Sequence, residues 1–348
     1  MQVIINAGGT GTRLWPYSTN SNPKQFVPLI DSESFLTKTY NRLIDDFDSN
    51  QIWVNTNVKF QSLVEQNLPE DFNKSHILTE PEKRDSFAAI ISHAALVAGS
   101  VGVEETLIFL HADHLISEKD WSKFNLALKI VSNSLEKCEF EIITAGVKPK
   151  FASTQLGYIK ISPENKESCY SKVVKVDSFK EKPDLEIANS FVESGNYLWN
   201  LGYFSFTYKN LLKNLRILYP EIVEIVEKFR TSGVIDSESY AKLPKIAFDY
   251  AIAEKTTSLG VIGIDTEWED IGNWEIAAKY ISELSQNISQ VEFAGSGNKV
   301  KLLNKNRKVA FVGVSNLLLV ESEEGILVID PTKSAEVKKA AEYFEGLG

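Results

Sequence analysis

The stretch Val3-Ile4-Ile5-Asn6-Ala7-Gly8-Gly9-Thr10-Gly11-Thr12-Arg13-Leu14-Trp15-Pro16 decides how this chain is read. Three β-branched apolar residues make a short buried strand, and a glycine-rich loop follows at once. Glycines let backbone N–H groups wrap an anion without Cβ clashes. Arg13 adds a fixed cation suited to a polyphosphate. Soon afterwards Pro23-Lys24-Gln25-Phe26 brings a second cation.

Two familiar nucleotide loops do not fit. The dinucleotide fingerprint needs a third glycine where Leu14 stands. It also needs an acid at the end of the second strand, where the sequence reads Asn55-Thr56-Asn57. The Walker loop needs Gly-Lys-Ser/Thr, which the segment lacks. The loop is therefore a phosphate loop of another kind, with Gly8, Gly9, Thr10, Gly11, Thr12 and Arg13 as candidate nucleotide contacts. A plain strand-to-helix turn would need neither Arg13 nor Lys24.

Outward from the loop, short apolar runs alternate with helical patterns. Val3–Asn6, Gln51–Asn55, His76–Thr79 and Thr106–Leu110 read as buried strands. Phe35–Phe47 reads as a helix capped by Ser34, and Asp85–Ala98 as another. This alternation predicts an α/β fold: a Rossmann-like, mixed but mostly parallel sheet flanked by helices. Ligands then lie at the carboxyl ends of the strands. The middle of the chain adds strands at Glu141–Val147, Leu156–Ile161, Ser171–Phe179, Tyr203–Thr207 and Leu259–Ile264. It adds helices at Asn210–Tyr219, Pro220–Arg230 and Phe248–Lys255. Near residue 286 the character changes. Residues 1–286 are expected to form the catalytic domain. Residues 287–348 are expected to form a small β-rich domain with partial β-helix character, closed by a helix over Ser334–Phe344.

Net charge is −10 over 348 residues, which disfavours a nucleic-acid partner. No apolar run approaches the roughly 18 residues of a membrane helix, and Met1-Gln2 supplies no basic leader region. A cytoplasmic protein without a membrane partner is the expectation. Cys138 and Cys169, the only two cysteines, have no metal or disulfide spacing.

Phosphoryl chemistry on a nucleotide needs a divalent cation held by one or two carboxylates and phosphate oxygens. Two acids stand at strand ends: Asp113 in His111-Ala112-Asp113-His114, and Asp270 in Trp268-Glu269-Asp270-Ile271-Gly272-Asn273-Trp274. Either alone reads as a helix cap. Paired with the glycine loop they read as a metal site for Mg²⁺. His111 and His114 lack a third ligand and read as structural rather than as a zinc pair.

Gly-Gly-x-Gly-Thr-Arg-Leu-x-Pro followed by Pro-Lys resembles the sugar-nucleotide pyrophosphorylases. Trp15-Pro16 with Lys24-Gln25-Phe26 resembles their GDP-mannose pyrophosphorylase branch. The resemblance implies a GT-A-like nucleotidyltransferase fold. It implies transfer of a guanylyl group from GTP to mannose 1-phosphate, with Asp113 and Asp270 on the metal and Arg13, Lys24 and Lys182 acting on phosphates. Glu181-Lys182-Pro183 and Trp199-Asn200-Leu201-Gly202 match the family's sugar-phosphate motifs. Without that match, Glu-Lys-Pro would read as a surface loop. Leu156-Gly157-Tyr158-Ile159 is similar to its Phe-Gly-Tyr-Ile strand, which puts Gly157 and Tyr158 at the sugar. Glu80-Pro81 and Arg84-Asp85-Ser86 resemble the branch's base-binding Glu-Pro…Arg-Asn-Thr segment, with Glu80 on guanine. Asp249 and Glu254 match Ile-Asp-Tyr-Ala-x-x-Glu, and bracing of the Asp270 loop is the role expected of them. His111 replaces the branch's proline and Asp85 its asparagine. The family's short form has a tail like residues 291–348, and a homodimer is implied. Transfer to another sugar 1-phosphate, such as a heptose 1-phosphate, stays open. So does a catalytically silent, nucleotide-sugar-binding regulator.

Overall fold

The computed structural model describes every residue except 10, 31, 282–289, 304–306 and 347–348. The four N-terminal strands form as β1 (Gln2–Asn6), β2 (Ile52–Asn57), β3 (Ile77–Glu80) and β4 (Thr106–His111). They pair in parallel in the order β3-β2-β1-β4. Parallel neighbours need crossovers, which α1 (Phe35–Ile44), α2 (Gln61–Asn67) and α3 (Asp85–Val101) supply. Ser34 caps α1 by accepting from the Thr37 N–H at 3.1 Å.

Beyond β4 come β5 (His114–Ile116), α4 (Trp121–Glu136), β6 (Ile142–Val147), β7 (Tyr158–Lys160), β8 (Val174–Lys175), β9 (Ser178–Lys180) and α5 (Leu185–Ser194). The long strand β10 (Tyr197–Thr207) then runs antiparallel between β4 and β6. Helices α6 (Tyr208–Leu218), α7 (Val223–Ser232) and α8 (Ser237–Tyr240) lead to β11 (Leu259–Gly263), parallel to β6. The sheet is thus mixed, in the order β3-β2-β1-β4-β10-β6-β11-β8, with β7 on β10 and β9 on β7. β12 (Trp268–Asp270) leaves it and pairs with β5.

Alternate residues of one strand feed opposite layers. Val3, Ile5, Ile108 and Leu110 pack with Leu36 and Leu43 of α1 and Phe124 and Leu128 of α4. Ile4, Leu107 and Phe109 pack with Phe87 and Ile91 of α3 and Phe229 of α7. Strands covered on both faces are continuous apolar runs, which is why their sequence is easy to read. Two expectations change. Ser171–Phe179 is not one strand: β8 pairs with β11 and β9 with β7, so the chain changes partner between them. Phe248–Lys255 holds a single π-helical turn, Asp249–Ala253, a local widening that often marks functional sites.

The tail comprises α9 (Trp274–Ile281), β13 (Gln290–Phe293), β14 (Lys299–Lys301), β15 (Val309–Val312), β16 (Leu318–Ser322), β17 (Gly325–Ile329) and α10 (Val337–Glu345). β13 pairs β15 and β14 pairs β16 in parallel, and β17 folds back antiparallel on β16. The boundary expected near 286 lies outside the described residues. The tail packs onto the glycine-loop segment. Val337, Ala341, Leu318 and Val320 share one apolar cluster with Leu14, Trp15 and Trp274, and Phe344 stacks on Trp15 at 5.2 Å. Among the described residues no helix is long and apolar enough to cross a membrane.

Candidate active site

β1 ends at Asn6 and the chain turns into the glycine loop at the carboxyl edge of the sheet. The loop is shaped from below by Pro23-Lys24-Gln25-Phe26. The Gln25 amide donates to the Ala7 and Gly9 carbonyls at 2.9 and 3.2 Å. The Lys24 stem passes under Gly11, where a Cβ would meet Lys24 Cγ at 2.8 Å and the backbone φ is +62°. Only glycine meets both demands.

The Lys24 ammonium lies between two carboxylates, 2.8 Å from Asp113 Oδ2 and 3.1 Å from Asp270 Oδ1. It also donates to the Ile271 carbonyl at 3.2 Å. The acids meet because β5 pairs with β12, which sets Asp270 opposite His114. The end of that motif holds the other wall: the buried Trp274 indole donates to the Trp15 carbonyl at 2.8 Å. Burial opposes both charges, but attraction wins. Lys24 holds the Asp113 carboxyl well below its ordinary range, and Asp113 and Asp270 raise Lys24. Burial pushes His114 down to about 4, with His111 adding to the shift. Its ring is therefore neutral near pH 7, 2.9 Å from the Tyr203 hydroxyl.

Lys24, Asp113 and Asp270 line one open pocket together with Gly8, Gly9 and Arg13. Thr12 also lines it; Thr10 lies outside the described residues. Among the described residues no group of three or more His, Cys, Asp or Glu is placed to hold a metal alone. Two facing carboxylates in an open pocket suit Mg²⁺, which keeps water and takes phosphate oxygens for the rest of its shell.

A pocket of about 300 Å³ adjoins on the β2–β3 side, sharing Gly8, Gly9 and Asp113 and lined further by Thr56, Glu80, Lys83, Asp85 and His111. Glu80 is buried there and accepts a short hydrogen bond from the Tyr240 hydroxyl. Burial raises the Glu80 pKa, against the hydroxyl's opposite pull. Arg84 is turned away. Its guanidinium donates to the Leu243 carbonyl at 2.9 Å and to Glu82 at 2.8 Å, so the arginine expected at the nucleotide braces the loop behind it. Asp85 opens α3 at φ +66°, a left-handed conformation that Asp and Asn both tolerate. His111 presses against Gly202, where a Cβ would meet its Nε2 at 2.8 Å.

On the far side, Gly157, Glu181 and Asn200 come together. A Cβ on Gly157 would lie 2.3 Å from Glu181 Oε2. That buried oxygen has no hydrogen-bond partner among the described residues. Lys182 Nζ is 3.1 Å from Glu181 Oε1. The Asn200 amide accepts from Thr144 at 2.8 Å and donates to Asp249 Oδ1 at 2.7 Å. The Glu181 N–H donates to Glu254 at 3.1 Å. Asp249 and Glu254 therefore brace the Glu181–Asn200 side, not the Asp270 loop. Burial, then the nearby Glu181, raises Asp249 to about 7. Tyr158 is fully buried and its hydroxyl is used up by Ser153, taking its N–H at 2.8 Å and donating to its carbonyl at 3.1 Å. Its backbone lines the turn, and its side chain anchors the 153 loop. Sequence reasoning missed Tyr240 and Lys83, because neither belongs to a quoted motif.

The nucleotidyl transferase family model matches residues 2–287. The chain belongs to that family. It is similar to a mannose-1-phosphate guanylyltransferase of Klebsiella pneumoniae, at 31% identity over 98% of this chain and 73% of the relative. It is similar to the xanthan biosynthesis protein XanB of Xanthomonas campestris, at 33% identity over 99% and 73%. Among solved structures it resembles a mannose-1-phosphate geranyltransferase from Thermus thermophilus, with TM-score 0.84, 26% identity and 99% of each chain covered. Family membership makes the protein a nucleotidyltransferase, and the glycine loop with its two acids is the part of the chain suited to that chemistry.

Proposed function

We propose that this protein joins GTP to mannose 1-phosphate, forming GDP-mannose and releasing pyrophosphate. The observation that carries the reading is the convergence of Lys24, Asp113 and Asp270 below the glycine loop, with acceptors on either side: Glu80 towards a base and Glu181 towards a sugar. The relatives named for mannose 1-phosphate support the substrate.

Glu80 accepts from the N1 and N2 groups of guanine. Glu181 and Asn200 hold sugar hydroxyls, and Lys182 neutralises the 1-phosphate. An oxygen of that phosphate attacks the α-phosphorus. The bond from the α-phosphorus to the bridging oxygen breaks, and pyrophosphate leaves with the electron pair. The nucleophile is already anionic near pH 7, so no general base is required. Mg²⁺ held by Asp113 and Asp270 would supply charge stabilisation at the transferred phosphorus. Arg13 binds the departing phosphates. Lys24 keeps the two carboxylates facing one another and is their counter-charge before ligands arrive.

The test is a panel of nucleoside triphosphates against sugar 1-phosphates with Mg²⁺, following pyrophosphate. Release with GTP and mannose 1-phosphate well above all other pairs is expected. Fastest release with a heptose 1-phosphate, or with a different nucleotide, overturns the substrate assignment. No release with any pair overturns the activity.

A further inference from the structure

We infer that Lys338 of the C-terminal helix α10 is a phosphate-binding residue of the nucleotide site. The inference rests on the proposal that the cleft takes a nucleoside triphosphate. The pocket at the glycine loop is lined by Gly9, Arg13, Lys24, Asp270 and also Lys338. The tail therefore contributes a side chain to the site.

The placement follows from packing. Val337 and Ala341 are 3% and 0% exposed and pack with Leu14 and Trp15. Residues four apart share a helix face, so this pair seats α10 on the segment that carries Arg13. Phe344 continues the same face and stacks on Trp15. The Ser322 hydroxyl donates to the Pro16 carbonyl at 2.7 Å, and Gly325 lies against the Trp15 ring. With 337 and 341 held on the loop segment, residue 338 is carried to the rim of the pocket. Its ammonium is 3.4 Å from Glu342, and both side chains are more than half exposed. So weak a surface pair is readily exchanged for a phosphate oxygen.

Charge gives the reason. Lys24 is set against both Asp113 and Asp270, so these three side chains together carry one negative charge. Even with a divalent cation on the two carboxylates a triphosphate leaves negative charge over, and the remaining cations of the pocket are placed to answer it: Arg13, Lys83 and Lys338. Lys338 is the one of these three supplied from outside residues 2–287, the stretch matched by the family model.

The experiment uses the full chain as wild type, Lys338→Ala, Lys338→Arg and the neighbouring control Lys339→Ala. Lys339 pairs with Glu336. KM and kcat are measured for GTP and mannose 1-phosphate, and for pyrophosphate in the reverse direction. Lys338→Ala is expected to raise KM for GTP and pyrophosphate about 3- to 10-fold, with KM for the sugar phosphate unmoved. Lys338→Arg should restore most of it, and the difference should shrink in high salt. Unchanged nucleotide constants, or an equal effect from Lys339→Ala, overturn the inference. A wild type that turns over no substrate pair refutes the proposed activity instead. In that case GTP binding by calorimetry decides: an equal Kd for wild type and Lys338→Ala overturns the role of Lys338.

Discussion

The two banks of the cleft treat their acids in opposite ways. On the bank proposed for the nucleotide, Asp113 and Asp270 face the Lys24 ammonium, and for Asp113 charge attraction outweighs burial. On the bank proposed for the sugar, Asp249 lies near Asn200, Glu181 and Lys182, and burial, then Glu181, raises it to about 7. An acid held ionised by a fixed ammonium suits charged ligands. Acids pushed towards neutrality by burial favour hydrogen-bonding partners such as hydroxyls. On the proposed function, the first side meets phosphate charge and the second an uncharged ring.

The strongest way to break this contrast is at the charged bank. Asp270→Asn should leave the fold intact by circular dichroism and lower turnover on the order of 10²- to 10³-fold. Turnover within a few-fold of wild type would remove Asp270 from the metal site.

Gly157→Ala sharpens the contrast from the other side. Its Cβ would come within 2.3 Å of Glu181 Oε2, so the carboxylate must move. KM for the sugar phosphate is expected to rise about 10-fold, with KM for GTP nearly constant. Equal rises in both constants would show that the banks are not separable.

Asp249→Asn tests how burial controls the sugar bank. The folded value of about 7 lies above the unfolded one of about 4. The raised value costs nothing below pH 4, the penalty builds between pH 4 and pH 7 as only the unfolded state gives up its proton, and it stays constant above pH 7. Relative to wild type, the variant should therefore gain stability between pH 5 and pH 8, by roughly 1–3 kcal/mol. Thermal melting at both pH values reads this, and a pH-independent difference would contradict the raised value.

Tyr240→Phe has the smallest expected effect. It leaves the buried Glu80 one donor short, at a cost of about 1–2 kcal/mol in denaturant unfolding. It should also weaken discrimination between GTP and ATP. An unchanged GTP:ATP ratio of kcat/KM would mean that Tyr240 does not position Glu80 for the base.

Much of this was legible before any coordinates. The apolar runs of β1 and β4 announced themselves because both faces are covered. The glycine loop, Lys24 and the two aspartates stood in recognisable order. Arg84 and Tyr158 were misplaced because a motif names a residue but not its rotamer: one points to Leu243, the other to Ser153. Asp249 and Glu254 were assigned to the wrong loop for a related reason. Their partners, Asn200 and Glu181, are far away in sequence and met only through β10 and the turn after β9.

The sequence by itself determined the strand-and-helix alternation, the glycine-rich loop and which residues could carry charge, since these depend on neighbours along the chain. Tertiary structure decided which charges face which. The β5–β12 ladder put Asp270 beside Asp113, Lys24 came between them, and an apolar patch on α10 brought Lys338 to the loop. Those juxtapositions depend on long-range register and packing, to which local periodicity is blind.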